Sequence, residues 1–407
     1  MTNPLGRSFL SYKRDRKAEA ELLIAAQHDV GVPTWRDVDD LDELPTEDEV
    51  RRVLRDPETA NAILWLTPEV AKSEMIRKVE APLILERTRQ DGAFFVIPVA
   101  AGGLDYGEAA ALLDPGFTLE DLKQWNLRKL AADPIGPAEA AEVAMRVLRR
   151  RVAALHAVLP AGTPLKMALH TRKAAASTAN SLSLRWQHRC EGREARPGAW
   201  KDFLLPALQT VAKVIEETAP GRAVEASGLA SIPAITALGC EFLAPRRLQI
   251  SWEQYNERRG SQLWSLNAPR ESSGFQAKCE GRDLSGRDLA VLISVTDHVD
   301  PAFKVSRSDL PPFRALLRVW KGGDPPHDLE NAGQAAELAY LIQKEIRKAL
   351  KEYPEIVCVH LFMAVPLGLA MMIGQLLNNV NSVQTYELVS SEAGKSYRPA
   401  ALLYPSG

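Results

Sequence analysis

Cysteine is scarce in this chain of 407 residues, which has four: Cys190, Cys240, Cys279 and Cys358. They are scattered, with no C-x-x-C pair and no clustered histidines to complete a metal set. They read as reduced core thiols, and neither zinc nor a disulfide is expected. No apolar run is long enough to cross a bilayer, and the N-terminus, MTNPLGRSFLSYKRDR, has no signal-type hydrophobic core. A cytoplasmic protein without a membrane partner is expected. Net charge is nearly absent, at −2; no global field recruits nucleic acid or an anionic surface, and DNA is not an expected partner. No G-x-G-x-x-G follows a leading strand, which weighs against a nicotinamide-dependent oxidoreductase.

What is present is ordinary soluble composition, 46% apolar and 25% charged residues, in a chain too long for one typical core. Residues 8–12, SFLSY, read as a short strand. Leu22, Leu23, Ala26 and Val30 then recur at helical spacing, with Gly31 closing the helix, and VPTW makes a second strand. Residues 62–98 read as a buried strand (Ile63 to Thr67), a helix and another strand (Phe94 to Val99). This alternation predicts a parallel sheet with right-handed crossovers. Within that helix Glu80 has Ile76 and Ile84 four residues to either side, so its carboxylate borders a core or a cleft. The plainer alternative is a rim charge satisfied by Arg77 or Lys78. A further helix from Pro137 to Leu155 buries Val143, Val147, Leu148, Val152 and Leu155, and the run Arg149 to Arg151 reads as its solvated end. LPAGTP, residues 159–164, breaks the pattern and marks a domain boundary.

The second part opens with a strand, LKMALHT (165–171), a helix around Leu204, Leu208, Val211 and Ile215, the segment VEASGLASIPAITALGCEF, and a strand, RLQISWEQY. The series then returns as AVLISVTDH (290–298), a helix striped by Leu338, Ile342, Ile346 and Leu350, VCVHLFMAVPLGLAMMIGQLL, and VQTYELV. Aligned on Pro233 with Pro366 and Gly239 with Gly374, LASIPAITALG and FMAVPLGLAMMIG form a weak internal repeat, predicting two fused Rossmann-like halves and a pseudo-twofold groove. Helix N-termini after Pro233 and Pro366 suit phosphate oxygens. Loops after the leading strands put Thr171, Arg172 and Lys173, and Thr296, Asp297 and His298, beside the same groove. Trp186 or Trp264 is available to stack a base, although core packing is the commoner role of a tryptophan.

Two family resemblances rest on these residues. Ser11-Tyr12, Trp35-Arg36-Asp37, the Thr67-Pro68 turn and the Ile97-Pro98 strand end, in that order, resemble the TIR (Toll/interleukin-1 receptor) domain over roughly residues 7–155. The resemblance implies a flavodoxin-like parallel sheet. In NAD-cleaving bacterial members the catalytic glutamate lies about five helical turns before that proline, which implies Glu80, with Glu86 the poorer fit. It also implies Ser11, Tyr12, Trp35, Arg36 and Asp37 as NAD-pocket residues, and the acidic stretch from Asp37 to Glu49 as either the BB loop or a solvated surface. The family's tryptophan one turn before the glutamate is replaced by Ile76.

The F-x-A-x-P strand end, the glycine-containing helix and the TYEL strand resemble the SAVED domain, a fusion of two CARF-like units that senses cyclic oligonucleotides in bacterial anti-phage signalling (CBASS). That resemblance implies Thr171, Arg172, Lys173, Pro233, Thr296, His298, Pro366, Leu367 and Gly368 as ligand-binding residues. The expected organisation is an α/β protein with a TIR domain at 1–157 and a SAVED domain at 160–407, its halves at about 160–280 and 285–407. NAD+ is then the substrate, no cofactor is needed, and a cyclic oligonucleotide, a trinucleotide favoured, is the activator that drives head-to-tail filaments. A non-enzymatic TIR scaffold is the alternative.

Overall fold

The computed structural model describes residues 2–35, 46–113, 118–172, 181–244, 248–257, 259–378, 380–391 and 394–405. They form two compact units: Met1–Ala161 with Ser177–Arg185 and Lys213–Ala219, and the remainder of the chain. Among the described residues no helix is long and apolar enough to cross a membrane.

In the first unit five strands lie in the order Thr34–Trp35, Arg7–Ser11, Thr59–Leu66, Phe95–Ala100, Arg128–Lys129, all parallel. This 2-1-3-4-5 order is that of flavodoxin-like sheets. Thr59–Leu66 is buried at every position, as a central parallel strand covered on both faces requires. The helix expected there is three pieces: a 3-10 turn Pro68–Lys72, a π turn Ile76–Glu80 and an α-helix Ala81–Gln90. Pro82 accounts for the widening. It has no N–H to give the Lys78 carbonyl, and the turn closes instead through Ala81 N–H to the Ile76 carbonyl.

The helix Pro137–Val158 buries the predicted stripe and also Arg151, at 0% exposure. The arginine run is therefore not wholly a solvated end. Arg149 and Arg150 are exposed, whereas Arg151 turns inward, with Nη2 3.5 Å from Asn61 Oδ1. Asn61 in turn donates to Ser8 Oγ at 2.7 Å.

The second unit holds two sheets. In one, Leu165–His170, Val224–Ser227 and Ile250–Asn256 are adjacent and parallel, with Gly260–Trp264 antiparallel at the edge. In the other the order is Gln276–Gly281, Phe313–Trp320, Asp288–Ser294, Cys358–Ala364, Val383–Ser391, Gly394–Leu403. The strand Gln276–Gly281, expected within the first half, pairs antiparallel with Phe313–Trp320 of the second, so the halves divide before it.

The repeat is present, and its register differs from the hand alignment. Helix Ile232–Glu241 is capped by Ser231 and helix Leu367–Gln375 by Pro366. Ser231 and Pro366 are therefore equivalent, and Pro233, two residues inside its helix, corresponds to Gly368. The same offset pairs Gly239 with Gly374, where the two helices cross backbone to backbone. The prolines were misaligned because proline is at home at the cap and in the first turn alike.

Candidate functional sites

The first unit gathers its polar residues at the carboxyl edge of the sheet. Ser11 ends one strand opposite Leu64 of the next and Thr67 follows that strand; the Ser11 hydroxyl is buried without a hydrogen-bond partner among the described residues, while the Thr67 hydroxyl bears on the Glu69 carboxylate. Orphaned donors at a strand's carboxyl end are where open parallel sheets take ligands. Glu80 closes the π turn on the same connection and is 8% exposed between Ile76 and Ile84, both buried. Its carboxylate thus sits at the core's margin, as its spacing predicted. Glu86, by contrast, is exposed and lines a separate cavity of about 230 Å³ with Thr2, Arg87 and Asp91.

Tyr12 is buried beside Ser11. Trp35 is 3% exposed and stacks on Phe9 at 5.1 Å inside the core, so it presents no face to a pocket. Arg36, Asp37 and most of the acidic stretch lie outside the described residues. Near this edge Arg16 pairs with Glu69 at 2.9 Å, Asp133 at 2.5 Å and Glu19 at 3.1 Å. It thereby fastens the segments after the first, third and fifth strands in chain order. Hydrogen bonding to Arg16 holds the Glu69 carboxyl down at about 2.

In the second unit the predicted groove residues fall into two clusters. Thr171 accepts from Ser231 N–H at 2.9 Å while its own N–H donates to the Leu229 carbonyl. That places Thr171 and Arg172 at the N-terminus of the helix holding Pro233. Val295 and Thr296 N–H both donate to the Ala364 carbonyl at 2.9 Å, which places Thr296 just before Pro366, Leu367 and Gly368; His298 instead lines a cavity with Trp320 and His327. Lys173 lies outside the described residues.

Both clusters lie at strand carboxyl ends, but their surroundings differ. At the first, Ser231 Oγ accepts from Ala234 N–H, and Glu387 stands nearby, 7% exposed. Burial pushes its carboxyl up to about 7, against the opposing pull of Arg172 and Arg193 and a hydrogen bond from Ser231. At the second, Gln254 Oε1 accepts from Gly368 N–H at 3.0 Å, the Trp264 ring packs on Gly368, and Lys395 pairs with Asp297 at 2.9 Å.

Trp186 and Trp264 are both core residues, Trp186 at 0% exposure and edge-on to Trp200. Neither offers a ring face for stacking. Glu387 was hidden in sequence because it lies inside the TYEL strand, where alternation gives no sign that one side chain meets a helix cap on the other half. Ser231 had a signal, a serine immediately before an Ile-Pro helix start.

Residues 207–403 match the SAVED family model, described as a SMODS-associated sensor domain fused to various effectors. The match begins after Leu165–His170, although that strand shares a sheet with Val224–Ser227. No curated protein matches the sequence. Among solved structures the chain is similar to the Acinetobacter baumannii Cap4 SAVED/CARF-domain receptor with the cyclic trinucleotide 2'3'3'-cAAA. Identity there is 14%, coverage 96% of this chain and 98% of that one, and the TM-score 0.49. The same receptor with 3'3'3'-cAAA gives 13% identity, 96% and 98% coverage and a TM-score of 0.47. The Moraxella osloensis Cap4 receptor gives 17%, 96% and 98%, and 0.44.

Proposed function

We propose that this chain, which carries a SAVED domain over residues 207–403, is an anti-phage effector in which a cyclic oligonucleotide bound by that domain activates NAD+ hydrolysis by a TIR-type N-terminal unit. The observation that carries the enzymatic half is Glu80, a nearly buried carboxylate on a π turn, following a strand edge with an orphaned Ser11 hydroxyl. Cleavage of the nicotinamide–ribose bond passes through an oxocarbenium-like transition state. A carboxylate beside the ribose stabilises that developing positive charge and holds the ribose hydroxyls. Glu80 takes this role, and Ser11 supplies a hydrogen bond to the sugar or amide. Water adds to the ribose carbon, giving nicotinamide and ADP-ribose.

The sensing half rests on the two clusters. The positive dipole ends of helices Ile232–Glu241 and Leu367–Gln375 suit phosphates, and Arg172 and Thr296 add side-chain donors. Unregulated NAD loss would kill the cell, so ligand binding must complete the site, through head-to-tail association of copies. A scaffold without catalysis is the second reading, favoured by Ile76 in place of a tryptophan and by Trp35 being spent in the core.

The deciding experiment is fluorescence from a nicotinamide-cleavable NAD analogue, with purified protein and a panel of cyclic di-, tri- and tetranucleotides. Signal with one ligand supports enzyme and sensor together. Binding without signal across the panel moves the assignment to the scaffold.

A further inference from the structure

The SAVED unit holds a cavity apart from the Pro233 and Pro366 helix N-termini. Strand Asp288–Ser294 has Cys358–Ala364 on one side and Phe313–Trp320 on the other. Pro366 follows Cys358–Ala364, on the first side. A cavity of about 280 Å³ opens on the second, at the strands' carboxyl ends. Its floor is Leu292 and Val319; Trp320, His298, Lys321 and His327 stand around it.

Its charges are arranged unequally. Arg318 is spoken for, with Nε and Nη2 both on Asp300 Oδ1 at 3.1 and 3.0 Å. Lys321 pairs with no carboxylate among the described residues, and its ammonium lies 5.9 Å from the Phe275 ring centroid. His327 is fixed edge-on to the same ring at 5.9 Å, and its backbone N–H donates to the Val295 carbonyl at 2.8 Å. The segment from Lys321 to His327 is thus tied down beside the cavity. His298 reaches Asp324 at 3.5 Å, outside the lining.

We infer that this cavity is a binding site for a single nucleoside monophosphate. An apolar floor with a half-buried indole suits a planar base, and an unpaired ammonium with two imidazoles suits a phosphate. Size decides against the larger ligand. At about 280 Å³, close to the size of about 300 Å³ at which drug-sized pockets begin, the cavity matches one nucleotide better than a ring of three. The site lies on the far side of strand Asp288–Ser294 from the Pro366 cluster assigned to the activator, and the inference does not depend on that assignment.

Calorimetry of the full chain with AMP, adenosine and inorganic phosphate tests it, with wild type and Lys321→Met, which keeps the aliphatic stem and removes the charge. AMP should bind one per chain, with adenosine and phosphate each at least about tenfold weaker, and Lys321→Met should weaken AMP by about tenfold. Saturating cyclic trinucleotide should leave AMP binding unchanged. No binding of AMP, equal binding by phosphate alone, indifference to Lys321→Met, or competition by the trinucleotide would each overturn the inference. An absent response to cyclic oligonucleotides alone would sink the sensor assignment and leave this one standing.

Discussion

Gly239 and Gly374 exchange the same contact across the crossing of their helices. A Cβ on Gly239 would lie 2.2 Å from the Met371 carbonyl oxygen, and one on Gly374 would lie 2.2 Å from the Thr236 carbonyl oxygen. Met371 and Thr236 each stand three residues before the facing glycine. The pseudo-twofold axis of the SAVED unit therefore passes between these two residues, and backbone on both sides leaves no flexible side chain to yield.

Gly239→Ala and Gly374→Ala should each destabilise the protein by about 3 kcal/mol, the upper part of the range for overpacking. Because both act on one contact, the double variant should cost less than the sum. Urea midpoints measure this. Two near-neutral single variants would mean that the helices separate without penalty.

Glu80→Gln keeps shape and removes charge, and it should abolish NAD cleavage while binding of the activating oligonucleotide is unchanged. Glu86→Gln, on the exposed side of the same helix, should retain wild-type turnover. Loss of activity in Glu86→Gln with a functional Glu80→Gln would reverse the assignment.

The Arg16 junction predicts acid sensitivity. Glu69 is depressed from 4.5 to about 2, so its contribution is fully present above about pH 4.5 and lost as pH falls toward 2. Partial exposure of Arg16 and Glu69, 17% and 32%, reduces this to about 1 kcal/mol. Arg16→Ala should lower the thermal midpoint of wild type at pH 7, and the gap should close by about pH 2 to 3. A gap that is constant with pH would assign Arg16 a packing role.

Glu387 should behave oppositely. Its carboxyl is raised from 4.5 to about 7, so the folded state holds a proton that the unfolded state has released. Folding stability should fall as pH rises from about 4.5 to 7, by at most about 3 kcal/mol. Glu387→Gln should remove that loss, making the variant the more stable form above pH 7 and equal to wild type below about pH 4. Parallel pH curves for the two proteins would refute it.

Arg151 is held down to about 9 by burial, and its Nε and Nη1 have no hydrogen-bond partner among the described residues. Arg151→Met should raise the thermal midpoint by several degrees, as replacement of a poorly compensated buried charge commonly does. A lower midpoint would show that the bond to Asn61 outweighs desolvation.

Much of this was written in local pattern. Alternation and helical spacing located four of the five strands of the N-terminal sheet, missing the two-residue Arg128–Lys129, and the Ile76, Glu80, Ile84 spacing placed the carboxylate at the core's edge, because periodicity reports which face a residue shares. What periodicity does not report is how a ladder closes, so the π turn before Pro82 stayed hidden although the proline itself was in view. Arg151 was misread because three adjacent arginines look like surface, yet consecutive helical positions are about 100° apart and need not share a fate. The Lys321 cavity was invisible for another reason. Leu292, His298, Trp320 and His327 come from separate stretches that converge only in the folded sheet.

The two helix caps have a consequence for how a ligand is read. Ser231 satisfies a backbone N–H with its own hydroxyl, whereas the equivalent Pro366 carries no such group and its helix borrows Gln254. Duplicated architecture has thus been given unlike ends. A ring laid across the axis would find a left and a right, and turning it over would exchange good contacts for poor ones. If a cyclic oligonucleotide is the ligand, the order of linkages around its ring should then affect binding, and each end is free to change its preference without altering the other.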